Sequence, residues 1–548
     1  MSKTKTYWKG YAEKHQTPEF VTTSNKEFQE KIPVEEFLSN DGLADLKTGR
    51  RDFLKFMGFS VAAATLASCE APVIKSIPYV NKPEEITPGV ANWYASAYYD
   101  GNDFANVLVK SREGRPIWLK GKKEGFTSGG LIPRISTSIL NLYNSSRLNG
   151  PVINEPIMGD ENAISYSWSD IDSKVIDKLN EIKDKGGKIR ILSNTIISPS
   201  TNAVINDFIQ KFGKDETLTD QESGADIKHI QYDAQSYYGI RKANQANFQS
   251  DFIPTYNFDK SKVIVSVNAD FIANWLIPSK FSCDYAKNRK PENDWMSKHF
   301  HFESVLSLTG ANADYRGQIK PSEELAVLTS ILDLYNGKAP SNNFNEDTNN
   351  KIKKAVDALK DNKGESLVIS GSNDPNVQMK VNELNFTLEN YGTTIDTSNP
   401  LNLFNGNDND VEEFVKELSS GELDGVIFYG VNPVYSLPNG KELANAIAEV
   451  ELSVSFSEYM DETASYCGFV CPNHNYLESW CDLEPVSGQY SMQQPIIRPL
   501  YNTRQSQESF MVWSGNAVRS NSESQAFYDY IRNFWSENSI GDQSNYLT

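Results

Sequence analysis

The densest group of chemically capable side chains is Cys467-Gly468-Phe469-Val470-Cys471-Pro472-Asn473-His474, with Cys481 seven residues further on. Three thiols and an imidazole make a legitimate tetrahedral zinc set. Against it, the run between the first two cysteines is apolar, as in a strand, and an extended backbone separates residues 467 and 471 by about 13 Å. Only a turn or helix would bring them together, so free or buried thiols are the preferred reading. A haem attachment motif, Cys-x-x-Cys-His, is absent. Glu478 and Asp482, spaced i,i+4, would share one helix face, and acidic pairs in an acidic protein are usually solvated. The chain has five histidines and contains neither Gly-x-Ser-x-Gly nor His-Glu-x-x-His, so no hydrolase constellation assembles.

Nucleotide chemistry would sit where strands end. Leu192-Ser193-Asn194-Thr195 lacks a glycine-rich turn, and Ser370-Gly371-Ser372-Asn373 has one glycine where a phosphate cradle needs several. Tyr429-Gly430-Val431-Asn432-Pro433 is a strand-to-turn signature with Pro433 free to start a helix. All three read as tight topological turns.

The elements that carry these turns alternate. Helical segments at 167–182 and 200–212 flank the strand Ile189-Arg190-Ile191-Leu192-Ser193. Further strands are Val263–Val267, Leu367–Ser370 and Gly425–Gly430, each short, apolar, β-branched and closely followed by Asn, Ser or Gly. That composition belongs to parallel strands buried on both faces. Segments 304–309, 323–335 and 352–359 supply helices between them, and the body reads as α/β with doubly wound parallel sheets. Ahead of it, residues 70–105 read as extended chain. Val107–Lys110, a Glu113-Gly114 turn and Pro116–Lys120 form a hairpin, a small N-terminal β element. Residues 212–226, 342–350 and 391–410 read as solvated loops.

Nearer the N-terminus, Thr48-Gly49-Arg50-Arg51-Asp52-Phe53-Leu54-Lys55 precedes a dozen-residue apolar run that ends at Leu66-Ala67-Ser68-Cys69. Charged, apolar and small-residue regions in that order make an export signal rather than a structural helix. Arg50 and Arg51 resemble a twin-arginine signal, and the four residues ending at Cys69 resemble a lipobox whose thiol takes a lipid. Three regions follow: an arm over 1–69, an extended segment and small β domain over 70–160, and the α/β region over 161–548. Of the 548 residues, 72 are acidic and 53 basic, a net charge of -19 with no concentrated basic run, which disfavours nucleic-acid binding. Five cysteines exclude a disulfide-stapled scaffold, and equally a chain that holds several iron-sulfur clusters by its own thiolates.

Several segments together resemble one family: Val107–Lys110 with Gly114-Arg115-Pro116, Leu140–Tyr143 with Arg147, Ser266–Asp270 before Trp275, and Leu308–Asp314. The strongest runs from Cys471-Pro472-Asn473-His474 through Trp480-Cys481-Asp482, Gly488-Gln489-Tyr490 and Gln493–Ile497 to Thr503-Arg504. This is similar to the molybdopterin-oxidoreductase-like half of the extracytoplasmic iron-sulfur subunit of alternative complex III, a respiratory quinol oxidoreductase. Catalytic relatives in that superfamily hold a cluster through cysteines before the first hairpin, and the matching stretch here, Trp93–Ala97, has none. The resemblance therefore implies a body that has lost the molybdenum cofactor, with no catalytic, cofactor-binding or metal-binding residue of its own. It also implies [4Fe-4S] and [3Fe-4S] clusters in a ferredoxin-like half, so that the present chain is the N-terminal part of a longer polypeptide or a split subunit. The implied partners are pentaheme and monoheme cytochrome c subunits, integral membrane quinol-oxidising subunits and a terminal cytochrome oxidase. The implied location is the periplasmic face of the inner membrane, anchored through Cys69. The alternatives are an active molybdenum oxidoreductase of the dimethyl-sulfoxide-reductase type and an exported ligand-binding lipoprotein.

Overall fold

Burial of apolar side chains at helical and strand spacing sets the architecture. In the helix Trp168–Asp184, Trp168, Ile171, Val175, Leu179 and Ile182 are buried on one face, and a Ser167/Asp170 capping box fixes its start. The computed structural model describes residue 87 and residues 89–154, 166–214, 224–517 and 525–538. The arm over 1–69, with Arg50, Arg51 and Cys69, lies outside the described residues.

A six-stranded sheet runs in the order Val152–Ile153, Phe469–Val470, Leu452–Ser455, Gly425–Tyr429, Lys188–Ser193, Asp226–Gln231. All its pairings are parallel except that of the first edge strand. From Lys188–Ser193 the chain winds outward to Asp226–Gln231, and from Gly425–Tyr429 it winds the other way to Leu452–Ser455 and Phe469–Val470. The winding direction reverses between Lys188–Ser193 and Gly425–Tyr429. A crevice outside the carboxyl ends of two such strands is where open α/β sheets place ligands.

A second parallel sheet has the order Tyr315–Gln318, Lys298–Glu303, Val263–Val267, Ser366–Ser370. Every residue of Val263–Val267 and Ser366–Ser370 is buried, as their β-branched, apolar composition predicts. The other two sheets are antiparallel. One joins Gln489–Gln493, Cys481–Val486, Ile395–Leu401 and Ile253–Tyr256. The other joins Ala91–Tyr99, Phe104–Arg112 and Arg115–Gly121, and its hairpin turns at Glu113 (φ 52°) and Gly114 (φ 77°). Two consecutive positive φ values match the right-handed twist of the flanking strands.

The α/β class and the parallel strands are as expected, and four sequence expectations need correction. Beside the expected parallel sheets and hairpin, the described residues add a four-stranded antiparallel sheet. The extended segment before the hairpin contains a full strand, Ala91–Tyr99, which makes the small β element three-stranded. Segment 391–410 contains the strand Ile395–Leu401, buried at its two ends and irregular over the exposed polar run Thr397-Ser398-Asn399, and 342–350 contains the start of helix Glu346–Asp361, capped by Asn345. The helix expected over 304–309 begins only at Leu308, because the Ser307 side chain accepts from Gly310 N and starts it there.

Candidate functional site: the cleft where the sheet reverses

A cavity of about 280 Å³ opens over the reversal point. Its walls come from segments far apart in the chain: Tyr98, Tyr99 and Asp100, then Asn194 and Ser198, Tyr429 and Gly430, Glu458, the run Asn473–Tyr476, and Trp480, Cys481, Gln493, Gln505 and Gln507. An adjoining cavity of about 250 Å³ shares Asp100, Asn194 and Gly430 and adds Tyr232, Asp233 and Asn432. Asn194 marks their common wall. A Cβ on Gly101 (φ 96°) would lie 2.4 Å from Asn194 Nδ2, and one on Gly430 (φ 66°) 2.9 Å from Asn194 Oδ1. Glycine at both positions lets two turns close on the Asn194 amide, which fills the centre of the crevice.

Three carboxylates in or beside the cleft are held by the chain's own donors. Asp482 is fully buried and accepts from Ser198 Oγ (2.6 Å), Ser200 Oγ (2.8 Å), Ser200 N (3.2 Å) and Trp535 Nε1 (2.9 Å). It thereby occupies the anion position at the start of helix Pro199–Phe212. Asp233 accepts from Gly406 N (2.8 Å), Thr195 Oγ1 (2.9 Å) and Thr195 N (3.3 Å), and burial raises its carboxyl above the usual range. Asp100 accepts from Tyr98 OH (2.8 Å), Asn102 N (2.9 Å) and Asp103 N (2.8 Å).

One wall carries a buried ionic triad. Arg147 makes a bidentate contact with Glu478 (3.1 and 2.6 Å), and its Nε lies 3.1 Å from Glu458 Oε2. Glu478 also accepts from Asn475 N (2.9 Å) and Leu500 N (2.9 Å), so it is the better hydrogen-bonded partner of the arginine. Burial pushes Glu458 up to about 7, against the pull of Arg147. His474 Nδ1 lies 2.6 Å from Thr503 Oγ1, and burial pushes this imidazole down to about 4, so it is neutral.

The cysteine and histidine cluster does not converge. Cys467 packs with Phe428, Leu443 and Ile447, Cys471 with Phe456 and Trp513, and Cys481 with Leu483 and Val486, in three separate cores. Burial pushes the Cys471 and Cys481 thiols up to about 12, which suits inert side chains. Among the described residues no group of His, Cys, Asp or Glu is arranged to hold a metal ion. Glu478 and Asp482 do not share a solvated helix face. Glu478 ends the short turn Tyr476–Glu478, Asp482 lies in the strand Cys481–Val486, and both are buried against partners. Sequence reasoning missed Asp233, Asn194 and Glu458 as wall residues. Each lies one to three residues past a strand end, and that position was the available signal.

No protein-family model matches the chain. A menaquinone reductase molybdopterin-binding-like subunit from Nitratidesulfovibrio vulgaris (strain Hildenborough) is 21% identical over 526 residues, spanning 85% of this chain and 72% of the relative. Among solved structures, acetylene hydratase from Pelobacter acetylenicus superposes with a TM-score of 0.54 at 11% identity, over 77% of this chain and 69% of that one. The fold is molybdopterin-oxidoreductase-like.

A molybdopterin group carries phosphate and needs cationic or unpaired N–H partners. The larger cavity has no lysine or arginine among its lining residues, and neither does the smaller one. The N–H of Ser200 at the nearby helix start is already bonded to Asp482, and Asn194 forms a wall common to the two cavities. At about 280 Å³ the larger cavity is also at the bottom of the range for drug-sized ligands. The residues present do not fit the group.

Proposed function

We propose that this chain is a non-catalytic, molybdopterin-oxidoreductase-like subunit of a respiratory quinone-linked oxidoreductase of the alternative complex III kind. One observation carries the reading: neither cavity over the reversal point has a lysine or arginine in its lining, and backbone N–H groups at the nearby helix start and turn are already bonded to Asp482 and Asp233. The relative named as a subunit of a menaquinone reductase supports it, since that name pairs the same fold with quinone chemistry. In this role the chain is a scaffold. It packs against a cluster-bearing half and against c-type cytochrome and integral membrane quinol-oxidising subunits, and electrons pass from membrane quinol to a periplasmic carrier or terminal oxidase without entering it. The twin-arginine-like Arg50-Arg51 pair and the lipobox ending at Cys69 support a periplasmic, lipid-anchored location.

A second reading is an active molybdenum oxidoreductase of the dimethyl-sulfoxide-reductase type. The retained crevice and the likeness to acetylene hydratase favour it. Metal analysis of the natively isolated subunit separates the two. The scaffold reading expects no molybdenum bound to this chain, with iron only in a cluster-bearing half. Stoichiometric molybdenum that stays with the chain through purification would overturn it.

A further inference from the structure

The outer face of the three-stranded sheet has a chemistry unlike the rest of the molecule. Its inner face is core, where Tyr98, Val107, Val109 and Leu119 pack with Ile135, Leu142 and Leu477, and the outer face is itself buried at one end, where Ala97 and Phe104 join a second core. On the outer face the register aligns Trp93 with Lys110 and Lys110 with Trp118, Leu108 with Lys120, and Arg112 with Arg115. Directly paired residues point to the same side of a sheet. Trp93 is 43% exposed and Trp118 50% exposed, their rings meet edge to face at 5.7 Å, and Lys110 Nζ lies 5.7 and 5.8 Å from the two ring centroids. Such a pair of large exposed indoles does nothing for the core beneath it.

Four cations share this face: Lys110, Arg112, Arg115 and Lys120. Among the described residues none of the four has an ion-pair partner, in a chain of net charge -19. The three strands contain no acidic residue; Glu113 sits in the turn between the second and third strands, and Asp100 and Asp103 lie in the turn at the opposite end of the sheet. Cations without an ion-pair partner among the described residues, ringing two exposed tryptophans, match the two demands of a lipid interface, an anionic headgroup layer and a seat for indole rings at headgroup depth.

We infer that this face docks on an anionic lipid surface. The contact goes beyond the scaffold reading and does not require an acyl chain on Cys69. Its function is orientation: a lipid tether alone fixes distance from the membrane, whereas a flat cationic and aromatic face also fixes which side of the body looks down.

Flotation of the full-length chain carrying Cys69→Ser, which removes any acyl contribution, tests the inference. Vesicles of phosphatidylcholine alone are compared with vesicles containing phosphatidylglycerol. Binding is expected only to the anionic vesicles and should weaken as salt rises. Lys110→Gln with Lys120→Gln should weaken it roughly 25-fold, about five-fold per cation. Trp93→Ala with Trp118→Ala should weaken it as well, with unchanged circular dichroism showing that the sheet is folded. Equal binding to neutral vesicles, no flotation, or flotation unchanged in both double variants would overturn the inference. So would variants that keep vesicle binding and instead lose association with an acidic partner subunit, because the face would then read protein.

Discussion

Glutamine in place of Glu458 mimics the protonated carboxyl and removes its titration. In the folded chain burial lifts this group from its usual 4.5 to about 7, while Arg147 is already committed to Glu478. A carboxyl whose folded value lies above its unfolded value binds its proton more tightly when folded. Its stabilising contribution is therefore complete below 4.5 and disappears as the pH rises through about 7. The full difference corresponds to about 3 kcal/mol, and the part lost between about pH 5.5 and pH 8 is about 2 kcal/mol. The side chain is 23% exposed, so this contribution is not dominated by solvent screening. Urea unfolding of wild type and Glu458→Gln at those two pH values measures it as a difference of differences, in which the buried histidines cancel. Wild type should lose about 2 kcal/mol relative to the variant on going to the higher pH. Parallel pH profiles for the two proteins would refute the reasoning, because they would mean that Arg147 keeps Glu458 ionised throughout.

Asp482→Ala removes the acceptor for Ser198 Oγ, Ser200 N, Ser200 Oγ and Trp535 Nε1, and should cost about 3–5 kcal/mol in thermal or urea unfolding; Asp482→Asn keeps one acceptor oxygen and should cost less. Arg504 and Asp172 are both fully buried and paired at 2.7 and 2.9 Å, so Arg504→Met should cost about 3–5 kcal/mol, and adding Asp172→Leu should recover much of it, read from the same unfolding curves. Cys69→Ser should abolish the acyl mass increment in intact-mass spectra and move the isolated chain toward the soluble fraction.

The strands legible in the sequence were those buried on both faces and built from Val, Ile and Leu, such as Val263–Val267 and Gly425–Tyr429. Those that escaped hide polar residues. Lys298–Glu303 buries His299 and His301, which share Ser266 Oγ at 2.8 and 2.5 Å, so a central strand reads as a polar segment. Asp226–Gln231 is an edge strand with an exposed side and lacks the apolar run. Helices with strong caps and amphipathic spacing, such as Trp168–Asp184, needed no tertiary information. The cleft was legible only in outline. The turns at Asn194 and Gly430 were visible as strand ends without phosphate machinery, but Asp233 and Glu458 reach the cleft from positions far apart in the chain. Arg147 meets Glu478 across 331 residues, a pairing that spacing alone does not reveal.

A helix start in a ligand crevice leaves N–H groups pointing at the position where an anion would sit, and a fold that takes no phosphate there must satisfy them otherwise. Here the compensation comes from other elements. Asp482 reaches helix Pro199–Phe212 from an antiparallel sheet, and its remaining acceptor capacity takes Trp535 from the helix Ala526–Asn538. Asp233 joins the turn after Lys188–Ser193 to the backbone at Gly406. Contacts that a bound group would make in one place are thus spread over segments distant in sequence and cross-link them. Cross-links of this kind hold the crevice walls together without a ligand. The crevice also resists conversion to a phosphate site by single substitutions, since removing either carboxylate loosens the walls that would have to grip the new ligand.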